Sequence, residues 1–312
     1  MKLSIALLGS GPLAEAVLRV GLDRSVEFRA FGPGAERLEG PVNVASDIGT
    51  AVTGARLVMF AGATSELAQA AEAYGEFATP DQIALVPARG VRSGFELPIT
   101  TIRDRTCLRK IGIIGGPLHV REIDAEHHVN AVLATRFPEV WSLADQLVDA
   151  DRVTLHRSAD VIGVQVAGVY SHIASLIAGM ARGLEIGETA RGILLAQSLS
   201  EARSLGVALG ADDRTFATVA GLGELIPRPS GGSDRHLEVG HRLGRGASLA
   251  EAVADIEAEV EGIGAAAEAV AIAKRHGLTV AVAETVVAVV EGGQAPKDAI
   301  DALLRRPLPG AP

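Results

Sequence analysis

Through the first half of the chain, short and almost wholly apolar runs alternate with helix-like stretches. Residues 3–8, 57–61, 83–86 and 111–114 form such runs, the pattern of parallel strands covered on both faces. Val26, Phe28 and Ala30 alternate with Glu27 and Arg29, which predicts a less buried second strand. Between the first two strands, Leu13, Val17 and Val20 share one helical face, and Glu15 and Arg19 pair at i,i+4 on another. This alternation predicts a doubly wound α/β sheet.

From residue 158 the strand-like runs give way to long Ala/Leu/Ile/Gly segments with helical spacing, at 158–184, 189–206, 248–276 and 297–305. Gly277, behind Lys274-Arg275-His276, reads as a helix C-terminus with cations in its last turn. Residues 279–290 suit a strand by their β-branching and a helix by their length. The turn formers of 227–234 predict a loop. The expectation is a Rossmann domain over 1–157 followed by an all-α domain over 158–312.

Composition narrows the function classes. Thirty-eight acidic residues against 29 basic ones leave a net charge of -9, and aromatics make up 3%. With no Lys/Arg run and few stacking platforms, a nucleic-acid role is disfavoured. Residues 161–181 are uncharged and long enough to raise a membrane span. Gln165, Ser171, His172 and Ser175 interrupt them, so a buried helix of a soluble protein is expected. Residues 3–8 are too short for a signal-peptide core. The single cysteine, Cys107, excludes an intrachain disulfide and is expected to be a small buried side chain. A cytoplasmic location follows as the default.

The first strand runs directly into Gly9-Ser10-Gly11-Pro12-Leu13-Ala14. Gly9 suits a tight turn, Gly11 the close approach of a pyrophosphate, and Ala14 close helix–strand packing. Pro12 fits the first helical turn, whose free N–H groups and positive dipole end attract a diphosphate. The second strand ends Phe31-Gly32-Pro33-Gly34, with neither an acid for a ribose hydroxyl nor an arginine for a 2′-phosphate. NAD and NADP are therefore equally open.

Several segments, in order and at the right spacings, resemble the bacterial NAD(P)-dependent glycerol-3-phosphate dehydrogenase family. Gly115-Gly116-Pro117-Leu118-His119-Val120-Arg121-Glu122 is similar to its Gly-Pro-Ser/Thr-Phe-Ala-x-Glu turn, and residues 160–165 with Gly168 to the entry of its central helix. Residues 221–226 resemble its Gly-Leu-Gly-Asp-Leu-Ile, Arg235 and Gly240 its Ser-Arg-Asn…Gly motif, and Glu261-Gly262 its cofactor-proximal pair. The resemblance implies a helical second domain of the 6-phosphogluconate-dehydrogenase-like type that binds substrate and dimerises. It implies cofactor contacts from Gly9, Ser10, Gly11, Pro12, Leu13, Val120, Arg235 and Glu261. Substrate contacts would come from Arg89, Gly116, Leu118, Asp234, Arg235 and His236. The expected ligands are NAD or NADP and a small, phosphorylated or related metabolite.

The catalytic positions depart from the family pattern. Its Gly-Ala-Leu-Lys-Asn, whose lysine moves the hydroxyl proton, reads here Gly168-Val169-Tyr170-Ser171-His172. A serine hydroxyl does not exchange protons unaided near neutrality. A second family lysine becomes Arg89, which keeps the charge but holds its proton. The aspartate becomes Glu224, and Ser-Arg-Asn becomes Asp234-Arg235-His236, where Asp234 is expected to act as counter-ion to Arg235. Ordinary glycerol-3-phosphate turnover is not expected. His172 is the candidate replacement acid/base, so Ser171, His172 and Glu224 form the catalytic set. The plainer reading of His172, a histidine hydrogen-bonded within a packed helix junction, stands ahead of that one. For His236 an exposed loop position is the plainer reading. Tyr170 is expected in the core. No metal is expected, since the neighbours His127 and His128, with His119 and Glu122 nearby, point in different directions. The alternative function is a non-catalytic sensor or partner protein that binds a dinucleotide or metabolite.

Overall fold

The computed structural model describes residues 3–19, 26–118, 120–226, 234–256 and 258–306. Its strands are β1 (Leu3–Leu8), β2 (Val26–Phe31), β3 (Val42–Val44), β4 (Leu57–Phe60), β5 (Ile83–Pro87), β6 (Ile111–Gly115), β7 (Val129–Ala134) and β8 (Val153–Ser158). They form one sheet in the order β3-β2-β1-β4-β5-β6-β7-β8. Every neighbouring pair is parallel except β6 with β7. The first six strands carry the order of a dinucleotide-binding sheet, which reverses direction of growth between β1 and β4. All five sequence-predicted strands are present. Strands β3, β7 and β8 come in addition: β3 has only three residues, and β8 mixes apolar positions with His156, Arg157 and Ser158.

Strands β1, β4, β5 and β6 bury both faces over most of their length, as their nearly unbroken apolar runs require, whereas β2, β3 and β8 are only partly covered. Ile5, Leu7, Leu57, Met59 and Leu85 pack with Leu13 and Ala14 from the helix Pro12–Arg19. Contacts divide the chain into two compact units, residues 1–88 with 96–165 and residues 89–95 with 166–312. A boundary between 157 and 158 was expected. The division falls later because the helix Val161–Gly183 begins within the first unit, and the short segment 89–95 goes with the second.

The second unit is helical: Glu188–Ala208, Leu222–Leu225, Arg235–Gly244, Leu249–Val253, Glu261–Arg275, Ala281–Val290 and Pro296–Leu304 follow the long helix. The Val161–Gly183 helix is apolar enough to cross a membrane, but 89% of its most apolar window is buried in protein, which makes it a core helix. The expected single helix over 248–276 is in fact two. Ser248 caps the first with Glu251 in a reciprocal capping box, and that helix stops at Val253. Arg242 then holds the Ala252 carbonyl and Asp255, fixing the chain out of helix before Glu261 restarts it. Gly277, with φ 67°, ends that second helix in the left-handed conformation expected of it. The ambiguous 279–290 stretch is a helix from Ala281, whose first amides Val282 and Ala283 donate to buried Glu201. Cys107, expected to be buried, is exposed. Residues 227–233 of the predicted loop, and Val20 on the first helix, lie outside the described residues.

Candidate active site

In the first unit the glycine turn is fixed by backbone contacts. Gly9 has φ 94°, and a Cβ there would lie 2.4 Å from the Gly62 nitrogen. Its amide donates to the Phe31 carbonyl. At Gly11 the close approach is made by the protein itself: its N–H donates to the Ala61 carbonyl at 2.7 Å, and a Cβ would meet that oxygen at 2.3 Å. The Gly11 amide is thus engaged, Pro12 has no N–H, and the Ala14 and Glu15 amides donate to the Gly11 carbonyl, so within the first helical turn the Leu13 amide is the donor left for a phosphate. The Ser10 hydroxyl donates to the Pro33 carbonyl, tying the turn to the end of β2. Pro12 is exposed, whereas the Leu13 side chain is core, leaving only its main chain for a ligand.

Gly116 and Leu118 also belong to the first unit. Gly116 adopts φ 80°. Leu118 packs with the cluster of Ala16, Ile123, Val129 and Val153, so its side chain serves the interior rather than a polar substrate. His119 and the side chain of Val120 lie outside the described residues. His128 is held by the Asp151 carbonyl and the Thr154 hydroxyl.

The remaining candidates converge in the second unit, and glycine makes the convergence. The helices Val161–Gly183 and Arg235–Gly244 cross in backbone contact. A Cβ on Gly179 would lie 2.2 Å from the Leu237 carbonyl oxygen, and one on Gly240 2.2 Å from that of Leu176. Gly183 and Gly244 repeat the arrangement one turn along, against the His241 and Met180 carbonyls. Gly262 brings in the third helix, with no room for a Cβ beside the His236 ring and the His172 carbonyl. The middle of the long helix then delivers Ser171 and His172, and the starts of two others deliver Asp234, Arg235 and His236, and Glu261, to one place.

His172 and His236 stack, with ring centroids 4.0 Å apart and planes 14° from parallel. Both are buried, at 8% and 2% exposure, so His236 is a helix residue of the interior and not an exposed loop histidine. Asp234 caps its helix by accepting from the His236 amide, and its Oδ1 also faces His236 Nδ1 at 3.3 Å. Burial works against the charge of Asp234, but hydrogen bonds from His236 and Ser175 outweigh it and keep the carboxyl well below its usual range. Burial holds the His172 pKa far below that of free imidazole, and the charges of His236, Arg89 and Arg235 add to the effect. His172 is therefore neutral near physiological pH. Its Nδ1 has no hydrogen-bond partner, and neither does His236 Nε2.

The arginines are paired with carboxylates. Arg235 Nη2 lies 2.5 Å from Glu261 Oε2, and its Nε donates to the Glu259 carbonyl. The counter-ion of Arg235 is thus Glu261, and the expected Asp234 partnership is replaced by the Asp234–His236 contact, because the helix cap turns Asp234 back on its own first turn. Arg89 places Nε and Nη2 each 2.9 Å from Oε1 of Glu224, whose side chain is almost wholly buried. Burial raises the Glu224 pKa, and Arg89 and Ser171 only partly offset it. The Ser171 hydroxyl donates to the Gly168 carbonyl within its own helix. Tyr170 is core, as expected. Of the two lysines described in this unit, Lys274 is exposed and Lys297 pairs with Asp301.

The family resemblance named these residues as parts of one site but not their contacts. His172, His236 and Glu261 sit on three helices, and the spacing of Gly179 with Gly183 and of Gly240 with Gly244 is a signal in the sequence for the close crossing of the first two.

A Rossmann sheet carrying a glycine turn, together with a helical unit holding buried titratable groups, defines a two-unit protein of the dehydrogenase class. The family model for the C-terminus of NAD-dependent glycerol-3-phosphate dehydrogenase matches residues 160–301. Glycerol-3-phosphate dehydrogenase (NAD(P)+) of Streptomyces griseus subsp. griseus is 30% identical over 73% of this chain and 68% of that protein. The enzyme of the same name from Moorella thermoacetica is 27% identical over 98% of this chain and 97% of its own. The chain belongs to this family of NAD(P)-dependent oxidoreductases. The crystal structure of glycerol-3-phosphate dehydrogenase from Coxiella burnetii shares the fold, with a TM-score of 0.89 at 20% identity over 98% of this chain and 99% of that one.

Proposed function

We propose that this protein is an NAD(P)-dependent oxidoreductase that has lost ordinary turnover of glycerol 3-phosphate and dihydroxyacetone phosphate, and that it acts on another small alcohol or carbonyl compound through His172. The observation that carries the reading is a buried, neutral imidazole whose Nδ1 is unpartnered, one residue from the serine that stands in the lysine position. A neutral imidazole accepts a proton directly, which the Ser171 hydroxyl does not. His172 would take the hydroxyl proton as hydride leaves the carbon for the nicotinamide. The glycine turn of the first unit would hold the diphosphate of NAD or NADP.

The loss of the ordinary substrate is supported by the arginines. Arg89 and Arg235 are each engaged by a carboxylate, Glu224 and Glu261, so a dianionic phosphate would have to displace an existing counter-ion. The same pairing favours the second reading, a binder of dinucleotide or metabolite without chemistry, since a saturated pocket can recognise without reacting.

Turnover separates the two readings. NAD(P)H oxidation is followed with dihydroxyacetone phosphate and a panel of related carbonyl compounds. The proposed reading expects no turnover of dihydroxyacetone phosphate at a rate normal for the family, and reduction of another carbonyl that is abolished in His172→Ala. Cofactor binding with no turnover of any panel member selects the non-catalytic reading. Brisk turnover of dihydroxyacetone phosphate overturns both.

A further inference from the structure

We infer that Glu268, with Arg275 beside it, is a positioning residue that grips the segment 89–95 and thereby seats Arg89 on Glu224. The consequence for chemistry rests on the reading of Arg89 as a substrate-site residue, but the positioning itself does not. One oxygen of Glu268, Oε2, accepts from two successive backbone amides, Gly94 at 2.8 Å and Phe95 at 3.1 Å. Arg275 Nη2 donates to the Gly94 carbonyl at 3.1 Å. The turn at 93–95 is thus held by an anion on its N–H groups and a cation on its C=O, and hydrogen bonds to ionised groups are the stronger kind. These contacts, like that of Arg89 with Glu224, lie within the second unit.

The backbone shows what the grip maintains. Gly94 and Phe95 have φ of 79° and 60°, two left-handed residues in succession. Glycine takes that conformation freely, whereas a bulky side chain takes it at a cost. Phe95 is 5% exposed, so its ring is fixed in the interior while its backbone is strained. Such a conformation lasts only where the surroundings over-determine it, and it clusters where a functional group has to be aimed. The functional group on this segment is Arg89. Its Nε and Nη2 each reach Oε1 of Glu224 at 2.9 Å, a double contact that depends on where the backbone starts.

One helix face supplies the fixed frame. Glu261, Glu268 and Arg275 follow one another at intervals of seven residues along the helix Glu261–Arg275. Seven residues make about two turns, with a net rotation of only about 20° and a rise of about 10 Å. The three side chains therefore form one charged stripe. Its first member holds Arg235, and the other two hold the segment that carries Arg89. Both arginines of the candidate site are set from a single helix, Arg235 directly and Arg89 through its backbone.

The test follows Glu224, because Arg89 lowers the pKa of that carboxyl against the effect of burial. Side-chain 13C spectra across pH report it, with Glu224→Gln identifying its signal. Glu268→Ala releases the segment, and the Glu224 pKa should rise by about one unit, a tenfold change in proton affinity. Loss of the Glu268 charge alone would move it down, so the sign separates placement from simple electrostatics. Glu268→Gln keeps an oxygen for the two amides and should restore most of the original value. In an Arg89→Ala background, Glu268→Ala should produce no rise. Circular dichroism checks that each variant is folded. If Glu268→Ala is not, Arg275→Ala supplies the reading, with a smaller rise that again vanishes without Arg89. A Glu224 pKa that stays or falls in the released variant, or that rises equally without Arg89, overturns the assignment. Turnover enters none of these measurements, so their failure leaves the proposed reaction standing, and absence of turnover leaves the positioning standing.

Discussion

Arg89 and Glu224 form a pair in which a half-buried guanidinium places two nitrogens on one oxygen of a carboxylate that is 3% exposed, while the other oxygen has no partner. The arginine is thus what makes a buried carboxylate tolerable. Arg89→Ala is expected to destabilise the fold by about 2–4 kcal/mol, since removing one partner strands the other. The Glu224 pKa is already raised by burial, and without Arg89 it rises further. The loss should therefore be smaller in acid, where Glu224 is protonated, and larger above neutrality. Urea unfolding of both proteins near pH 5 and near pH 8 reads this directly. An equal loss at both would mean that the carboxylate is hydrated and the pair is incidental.

The glycine crossing makes a second prediction, with its own control. A methyl group on Gly240 would sit 2.2 Å from the Leu176 carbonyl oxygen, and neither helix backbone can yield without moving His172 and His236. Gly240→Ala is expected to cost about 3 kcal/mol or more, at the upper end of overpacking penalties. Gly264, by contrast, is a helical and exposed glycine with nothing within 4 Å of a built Cβ. Gly264→Ala should stabilise by about 0.5–1 kcal/mol through helix propensity alone. Thermal melts of the two variants should move in opposite directions, and a Gly240→Ala melt that matches the unmodified protein would remove the crossing from the account of the site.

These crossings also mark how far the residues alone could be read. The buried strands announced themselves, because a strand covered on both faces has no use for polar positions, and 3–8 or 83–86 contain almost none. Strand β3 did not, because three residues carry no period. The break between Val253 and Glu261 lacks a Gly or Pro, and it is imposed from outside by Arg242 on Ala252 and Asp255 and by Arg235 on Glu259. Cys107 was misplaced because composition gives a side chain's average surroundings, not its own. At the site, motif order named Ser171, His172, Glu224, Asp234, Arg235, His236 and Glu261. Which carboxylate met which cation was decided by the helix cap at Asp234 and by glycine contacts that sequence spacing does not resolve.

Glu201 gives a prediction in pH. Its carboxyl is buried against the start of the Ala281–Val290 helix, and desolvation pushes its pKa up from 4.5 to about 8, against the lowering effect of the Val282 and Ala283 amides. A carboxyl whose pKa is higher folded than unfolded takes up a proton on folding. Its contribution is therefore intact below about 4.5 and is lost as pH rises toward about 8. The loss is at most about 1.4 kcal/mol per pH unit across that window. The lowered His172 pKa works the other way at acid pH, raising stability as pH rises toward the ordinary imidazole value. The Glu201 share is isolated by difference. Stability of Glu201→Gln relative to the unmodified protein should climb steadily from mild acid to mild base, since the amide can still accept from Val282 but has no proton to lose. Parallel curves would show that Glu201 titrates alike in both states.

Ser171→Lys tests whether a single restored amine brings back the family's chemistry. The serine side chain is buried, bonded to the Gly168 carbonyl, and lowers the pKa of Glu224 from nearby. An ammonium introduced here meets a buried carboxylate already shared with Arg89, and opposite charges in a dry setting bind each other before they bind substrate. The new amine should therefore pair with Glu224 and hold its proton, because an adjacent carboxylate favours the charged form. Asp234 remains close by, repelling a phosphate dianion. The expected result is no more than a trace of dihydroxyacetone phosphate reduction. Adding Glu224→Asp shortens the carboxylate and loosens its grip on the amine, so the double variant should exceed the single one by about tenfold or more. Equal rates for the two would locate the obstruction at Asp234 and Arg235 instead. A family-like rate from Ser171→Lys alone would mean that the lost amine was the whole difference, and that the carboxylate pairing described here does not govern the substrate.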